Sequence, residues 1–145
     1  MQPPPDSNRA RPSPNDDVED LMRVAHAAAQ LAYSPYSKVK VGAALLAEDG
    51  TVYTGCNVEN ASYGLTFCAE RSAVVRAVAS GERRFRAIAI ATDRPQALMP
   101  CGACRQFLLE FAPRLWVHVQ GAQSALETVN LSELLPRAFA PRDLT

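Results

Sequence analysis

The chain has 145 residues, 48% of them hydrophobic, with 15 basic and 15 acidic side chains and no formal net charge. That length carries one domain with a core of its own, and the balanced charge, without a basic stripe to track phosphates, excludes nucleic acid as the expected partner. No apolar run is long enough to cross a bilayer and the first residues (MQPPPDSNRARPSPNDD) lack the apolar stretch of a signal peptide, so no membrane is expected and the expected compartment is the cytoplasm, where four cysteines stay reduced and point to metal or redox chemistry.

Residues 1–15, rich in Pro, Ser, Asn and Arg, read as a disordered or loosely packed tail ahead of a single domain over 16–145. Asp16 or Asp17 is placed to cap a helix running to about Tyr33, on which Val18, Leu21, Met22, Ala25, Ala28, Ala29 and Ala32 share a face. Ser34-Pro35 ends it, because the residue before proline avoids helical angles. Residues 39–47 and 51–56 read as strands joined at Asp49-Gly50, a hairpin turn signal. Residues 57–67 read as a loop and 69–80 as a helix that Gly81 stops. Residues 85–91 (FRAIAIA) read as a buried strand, 102–111 as a helix before Pro113, and 115–119 and 127–129 as further strands. A short terminal helix starts at Leu131. No internal repeat is visible. Strands interleaved with helices predict a layered α/β domain with a mixed sheet.

Cys68-Ala69-Glu70-Arg71 and Pro100-Cys101-Gly102-Ala103-Cys104 carry the chemistry. Zinc takes four ligands, and catalytic sites leave one position to water. Cys68, Cys101 and Cys104 supply three thiols, and Glu70 stands two residues from the first as an acid/base. Both motifs fall where a loop becomes a helix, and the positive potential of helix N-termini favours thiolate over thiol. Three thiolates around Zn²⁺ leave a charge of about −1, which Arg71 is placed to offset by hydrogen-bonding a sulfur. A capping box for Glu70 needs Ser or Thr three residues earlier, and Phe67 is there. Glu70 instead shares an inward face with Ala73, Val74 and Ala77, while Cys104 aligns with Phe107, Leu108 and Phe111. A lone Cys-x-x-Cys also fits a redox dithiol or half a structural zinc knuckle; Cys68 and Glu70 tip the balance towards hydrolysis. His26 and His118 read as packing or surface residues, and Cys56 as a small core residue.

These motifs, with Asn57-Val58-Glu59-Asn60-Ala61-Ser62-Tyr63 and the tail Leu134-Leu135-Pro136…Phe139…Pro141…Asp143-Leu144, resemble the small cytidine deaminases over about 17–144. The resemblance implies a three-layer α/β/α fold with a mixed, about five-stranded sheet. It implies one Zn²⁺ per subunit held by Cys68, Cys101 and Cys104, with Glu70 as the catalytic proton shuttle and Arg71 balancing thiolate charge. The implied reaction is hydrolysis of cytidine and deoxycytidine to uridine and deoxyuridine with loss of ammonia, a step of pyrimidine salvage. Asn57 and Glu59 would then bind the ribose 3′-hydroxyl, which disfavours a free base or a chain-internal nucleotide. Ala61, Tyr63, Ala69, Val39 and Phe139 would complete the substrate pocket. Tyr63 and Phe139 resemble positions that reach a neighbouring subunit's pocket in a homotetramer. Val39 departs from the family, which usually has a phenylalanine there packing on the substrate ring. Three rivals remain at this point: a zinc deaminase for a related aminopyrimidine nucleoside or antibiotic, a non-catalytic zinc or dithiol module, and, behind these, a deaminase of polynucleotides.

Overall fold

A computed structural model describes residues 18–145; the tail over 1–15 and the caps expected at Asp16 and Asp17 lie outside the described residues. The elements run α1 (Val18–Ala29), β1 (Val41–Ala47), β2 (Val52–Cys56), α2 (Ala69–Ala79), β3 (Phe85–Thr92), α3 (Gly102–Phe111), β4 (Trp116–Gln120), β5 (Glu127–Asn130) and α4 (Leu131–Leu134), with 3-10 turns at Tyr63–Leu65 and Pro141–Leu144. The five strands lie in the order β2-β1-β3-β4-β5. Only β3 and β4 are parallel, and α3 is the crossover that a parallel pair requires.

The strand alternation decides what covers each face. Ile88 and Ile90 of β3, with Ala43 and Leu45 of β1 and Val117 and Val119 of β4, pack against Ala73, Val74 and Ala77 of α2, Leu108 of α3 and Leu131 of α4. The intervening Ala87, Ala89 and Ala91, with Ala44 and Leu46, meet Leu21, Met22 and Ala25 of α1 on the other side. The result is the expected three-layer α/β/α arrangement around a mixed sheet. Small residues let the layers close. A Cβ on Gly42 would overlap the Ala25 carbonyl and the Ala29 amide of α1, and one on Gly55 would overlap the Ala69 carbonyl and the Ala73 amide of α2. The bare backbone at Gly55 thus lets the start of α2 settle directly on β2.

The hairpin uses a three-residue loop, Glu48-Asp49-Gly50. Gly50 N–H donates to Ala47 O at 3.1 Å and Ala47 N–H to Thr51 O at 2.9 Å. Gly50 takes φ +92°, the glycine bulge typical of such loops. Gly81, at φ +93°, closes α2 with Glu82 N–H on Ala77 O and Gly81 N–H on Val78 O, both 3.0 Å, the 6→1 and 5→2 pair of a glycine-terminated helix.

Three expectations are corrected. The first helix ends at Ala29 rather than near Tyr33, because Tyr33 is drawn out to pair with the segment after β2: its N–H donates to Asn57 O at 3.0 Å and its carbonyl accepts Glu59 N–H at 2.8 Å. Residues 57–67 are accordingly not a plain loop, since Val58 bridges both Tyr33 and Phe67. Cys56 is half-buried rather than in the core, with its Sγ 3.6 Å from Leu31 O.

Candidate active site

Cys68 and Cys101 are the N-caps of α2 and α3, both in extended conformation and neither making a side-chain capping bond. Their thiols are therefore not spent on the helix and turn towards each other, with the two Sγ atoms 3.9 Å apart. Cys104, in the first turn of α3, brings the third sulfur, and all three lie within 4.8 Å of one another. Tetrahedral zinc with Zn–S bonds of about 2.3 Å needs sulfurs about 3.8 Å apart, so the trio fits the ion with little adjustment. No other His, Cys, Asp or Glu among the described residues joins this cluster. Cys104 is buried, Cys68 half-buried and Cys101 exposed, so the cluster reaches from the interior to the surface.

The electrostatics follow from crowding three thiols at two helix starts. The Cys68 thiol is lowered to about 5, first by its hydrogen bond with Cys104 and then by Arg71. The same bond and burial push Cys104 well above the ordinary thiol range. Arg71 Nη2 lies 3.7 Å from Cys68 Sγ and 3.3 Å from Thr66 O, and its guanidinium sits 4.8 Å over the Phe67 ring. The sulfurs, Cys68 foremost, hold that guanidinium even more firmly protonated. Glu70 is 5% exposed. Burial, helped by the Cys68 charge, raises its carboxyl to about 7.

The other expected site residues divide. Asn57 is buried; its Nδ2 donates to Val39 O and its Oδ1 accepts from Val41 N–H, both at 2.9 Å. The amide thereby serves as an extra rung at the entrance to β1. Glu59 Oε1 accepts from Tyr36 N–H at 3.0 Å and Ser37 N–H at 3.1 Å, and the bonds from Ser37 lead in holding its carboxyl below the usual range. Both residues thus grip the 36–41 segment that presents Val39. Ala69, the first residue of α2, is fully buried, while Ala61, Tyr63 and Phe139 are exposed. The Tyr63 ring leans on Tyr36, centroids 5.6 Å apart. One chain therefore gathers the three cysteines, Ala69, Glu70 and Arg71, and leaves Ala61, Tyr63 and Phe139 facing outward. His26 contacts Gln120 at 3.2 Å and His118 is buried against Thr128 at 2.8 Å, away from the cluster.

Sequence reasoning missed Thr92 and Asp93, which hold the 36–41 segment from the end of β3. Thr92 Oγ1 donates to Lys40 O at 2.9 Å and Asp93 Oδ1 accepts Lys40 N–H at 3.0 Å. No local pattern announces these contacts, which span 52 and 53 residues. A cleft of about 350 Å³ beside α3, lined by Leu109, Pro113, Arg137 and Arg142 among others, contains none of the site residues. The gathered donors, and not this cavity, mark the reactive place.

A sequence profile of the "Cytidine and deoxycytidylate deaminase zinc-binding region" matches residues 15–120. A cytidine deaminase of Sporosarcina psychrophila is 47% identical over 130 residues, covering 89% of this chain and 96% of its own length. A probable cytidine deaminase of Dictyostelium discoideum is 42% identical, covering 89% and 88%. Among solved structures, a cytidine deaminase of Burkholderia pseudomallei superposes with a TM-score of 0.81 at 48% identity, covering 83% of this chain and 98% of its own. One from Mycobacterium tuberculosis gives 0.77 at 44%, covering 86% and 98%.

Proposed function

Because the chain belongs to the family of the cytidine and deoxycytidylate deaminase zinc-binding region, we propose that it is a zinc-dependent cytidine deaminase, hydrolysing cytidine and deoxycytidine to uridine and deoxyuridine with release of ammonia. The observation that carries this reading is three sulfurs within 4.8 Å of one another beside a buried glutamate two residues from the first. Bound by Cys68, Cys101 and Cys104, zinc supplies a Lewis acid that makes water a competent nucleophile near neutral pH.

The remaining work falls to the chain's own side chains. Glu70 takes a proton from the attacking water as the C4–O bond forms. It passes that proton to N3, then takes the remaining proton of the new C4 hydroxyl and delivers it to the exocyclic amine, which leaves as ammonia as the C4–N bond breaks and the C4 carbonyl forms. Its burial on the inner face of α2 fixes the carboxylate in one place, as a group that must hand protons both ways requires. Arg71, bonded to Cys68, offsets the excess negative charge of three thiolates. Asn57 and Glu59 each keep capacity beyond the bonds described, a second Nδ2 hydrogen and a second carboxylate oxygen, with which to engage the ribose 3′-hydroxyl. Val39, Ala61 and Ala69 border the pyrimidine. Tyr63 and Phe139 complete the pocket of a neighbouring copy in a homotetramer, a role their exposure supports. The enzyme acts in the cytoplasm, in pyrimidine salvage.

The test is spectrophotometric turnover of cytidine by purified protein, repeated after chelation and after zinc is returned. Turnover should disappear with the metal and come back with it. Protein carrying one zinc per chain that releases no ammonia from cytidine would overturn the reading.

A further inference from the structure

Arg105 follows Cys104 directly and sits early in α3, where the positive end of the helix dipole disfavours a cation. Its guanidinium is held there by two carbonyls, one five residues back and the other 29 residues on: Nε donates to Pro100 O at 2.7 Å and Nη1 to Leu134 O at 2.8 Å. Pro100 is almost fully buried, and its carbonyl belongs to the planar peptide from which Cys101 departs. Leu134 O is among the last carbonyls of α4, which no helical N–H can reach. The fork of an arginine spans both acceptors at once, whereas an ammonium offers a single point. At the next position, Gln106 Nε2 donates to Phe139 O at 2.9 Å, so α3 is stitched to the C-terminal segment twice in succession.

We propose that Arg105 is a positioning residue for the metal centre: it fastens the peptide that carries Cys101 to the C-terminal segment and so keeps the Cys101 sulfur in register with Cys68 and Cys104. The inference rests on the reading of these cysteines as zinc ligands and adds a residue that touches none of their sulfurs. Freed from Leu134 and Pro100, the loop before α3 gains freedom, and the most exposed of the three sulfurs leaves the ion more often.

The test uses zinc-loaded full-length protein and follows zinc transfer to a chromogenic chelator well below the unfolding temperature. Arg105→Met should release zinc about 10-fold faster than the unsubstituted chain, the lower end of what loss of a supporting partner costs a metal site. Arg105→Lys should fall between. Gln106→Ala, which frees Phe139 but leaves Pro100 anchored, should release zinc at the unsubstituted rate. Unfolding midpoints of the zinc-free forms separate this from general loosening, because a merely structural role lowers the midpoint without changing release from folded protein. An unchanged release rate in Arg105→Met, or equal acceleration in Gln106→Ala, overturns the proposal. Should Arg105→Met not fold, Arg105→Lys decides alone, an unchanged rate counting against. An unsubstituted chain that binds no zinc would instead refute the metal site itself.

Discussion

A buried carboxylate is costly to keep in a fold, and Glu70, on the same buried face of α2 as Ala73, Val74 and Ala77, is 5% exposed. Glu70→Gln keeps the shape and removes the exchangeable proton. It should retain zinc and lose activity by about 10²-fold or more, read from ammonia release alongside metal content; an active variant with native metal would end the assignment. Val39 poses the opposite case, a side chain smaller than the phenylalanine that the family resemblance leads one to expect there. Val39→Phe should lower the KM for cytidine by restoring a ring face to the pocket, and an equal or higher KM would speak against the position lining the substrate. The cysteines, Glu70 and Arg71 were legible in the sequence because each motif is a few residues long and sits at a helix start. The grip of Asn57 and Glu59 on the 36–41 backbone was not, because it joins residues 16 to 23 positions apart through side-chain geometry that no local pattern encodes.

At the scale of elements, legibility followed the punctuation. The helix over Gly102–Phe111 was read to the residue, since Pro100 and Pro113 bracket it. The helix over Val18–Ala29 was read too long, since nothing in Gln30-Leu31-Ala32 breaks a helix; the cause of its end is Tyr33 pairing with a strand partner 25 residues on. The sheet order could not be read from the chain at all, although the alternation of isoleucine and alanine in β3 did announce a buried strand. That alternation has a testable counterpart. Because α1 rests on bare backbone at Gly42, Gly42→Ala must push the helix off the sheet. A loss of about 1–3 kcal/mol is expected, the usual range for overpacking, measured by urea unfolding. A loss under a few tenths would mean the layers are less tightly closed than described.

At the scale of the molecule, the exposed apolar side chains call for an explanation. Leu31 is 78% exposed, Tyr63 73%, Leu65 68% and Phe139 59%, apolar surface of the kind that a subunit contact would cover. The four-subunit reading accounts for it and yields a prediction: sedimentation equilibrium should give a tetramer at micromolar concentration, with Tyr63→Asp shifting the distribution towards smaller species and lowering activity together. A monomer with full activity would remove the neighbour's contribution to the pocket.

The uncapped starts of α2 and α3 carry one more implication. A serine or aspartate at such a junction usually supplies an oxygen to the first turn and stabilises it by about 1 kcal/mol; at positions 68 and 101 the chain forgoes that gain. Stability and function are thus opposed at the same two atoms, the trade-off expected of a working site. Cys101→Ser should make the chelated chain at least as resistant to urea as its parent, while abolishing turnover: a sturdier protein that does nothing.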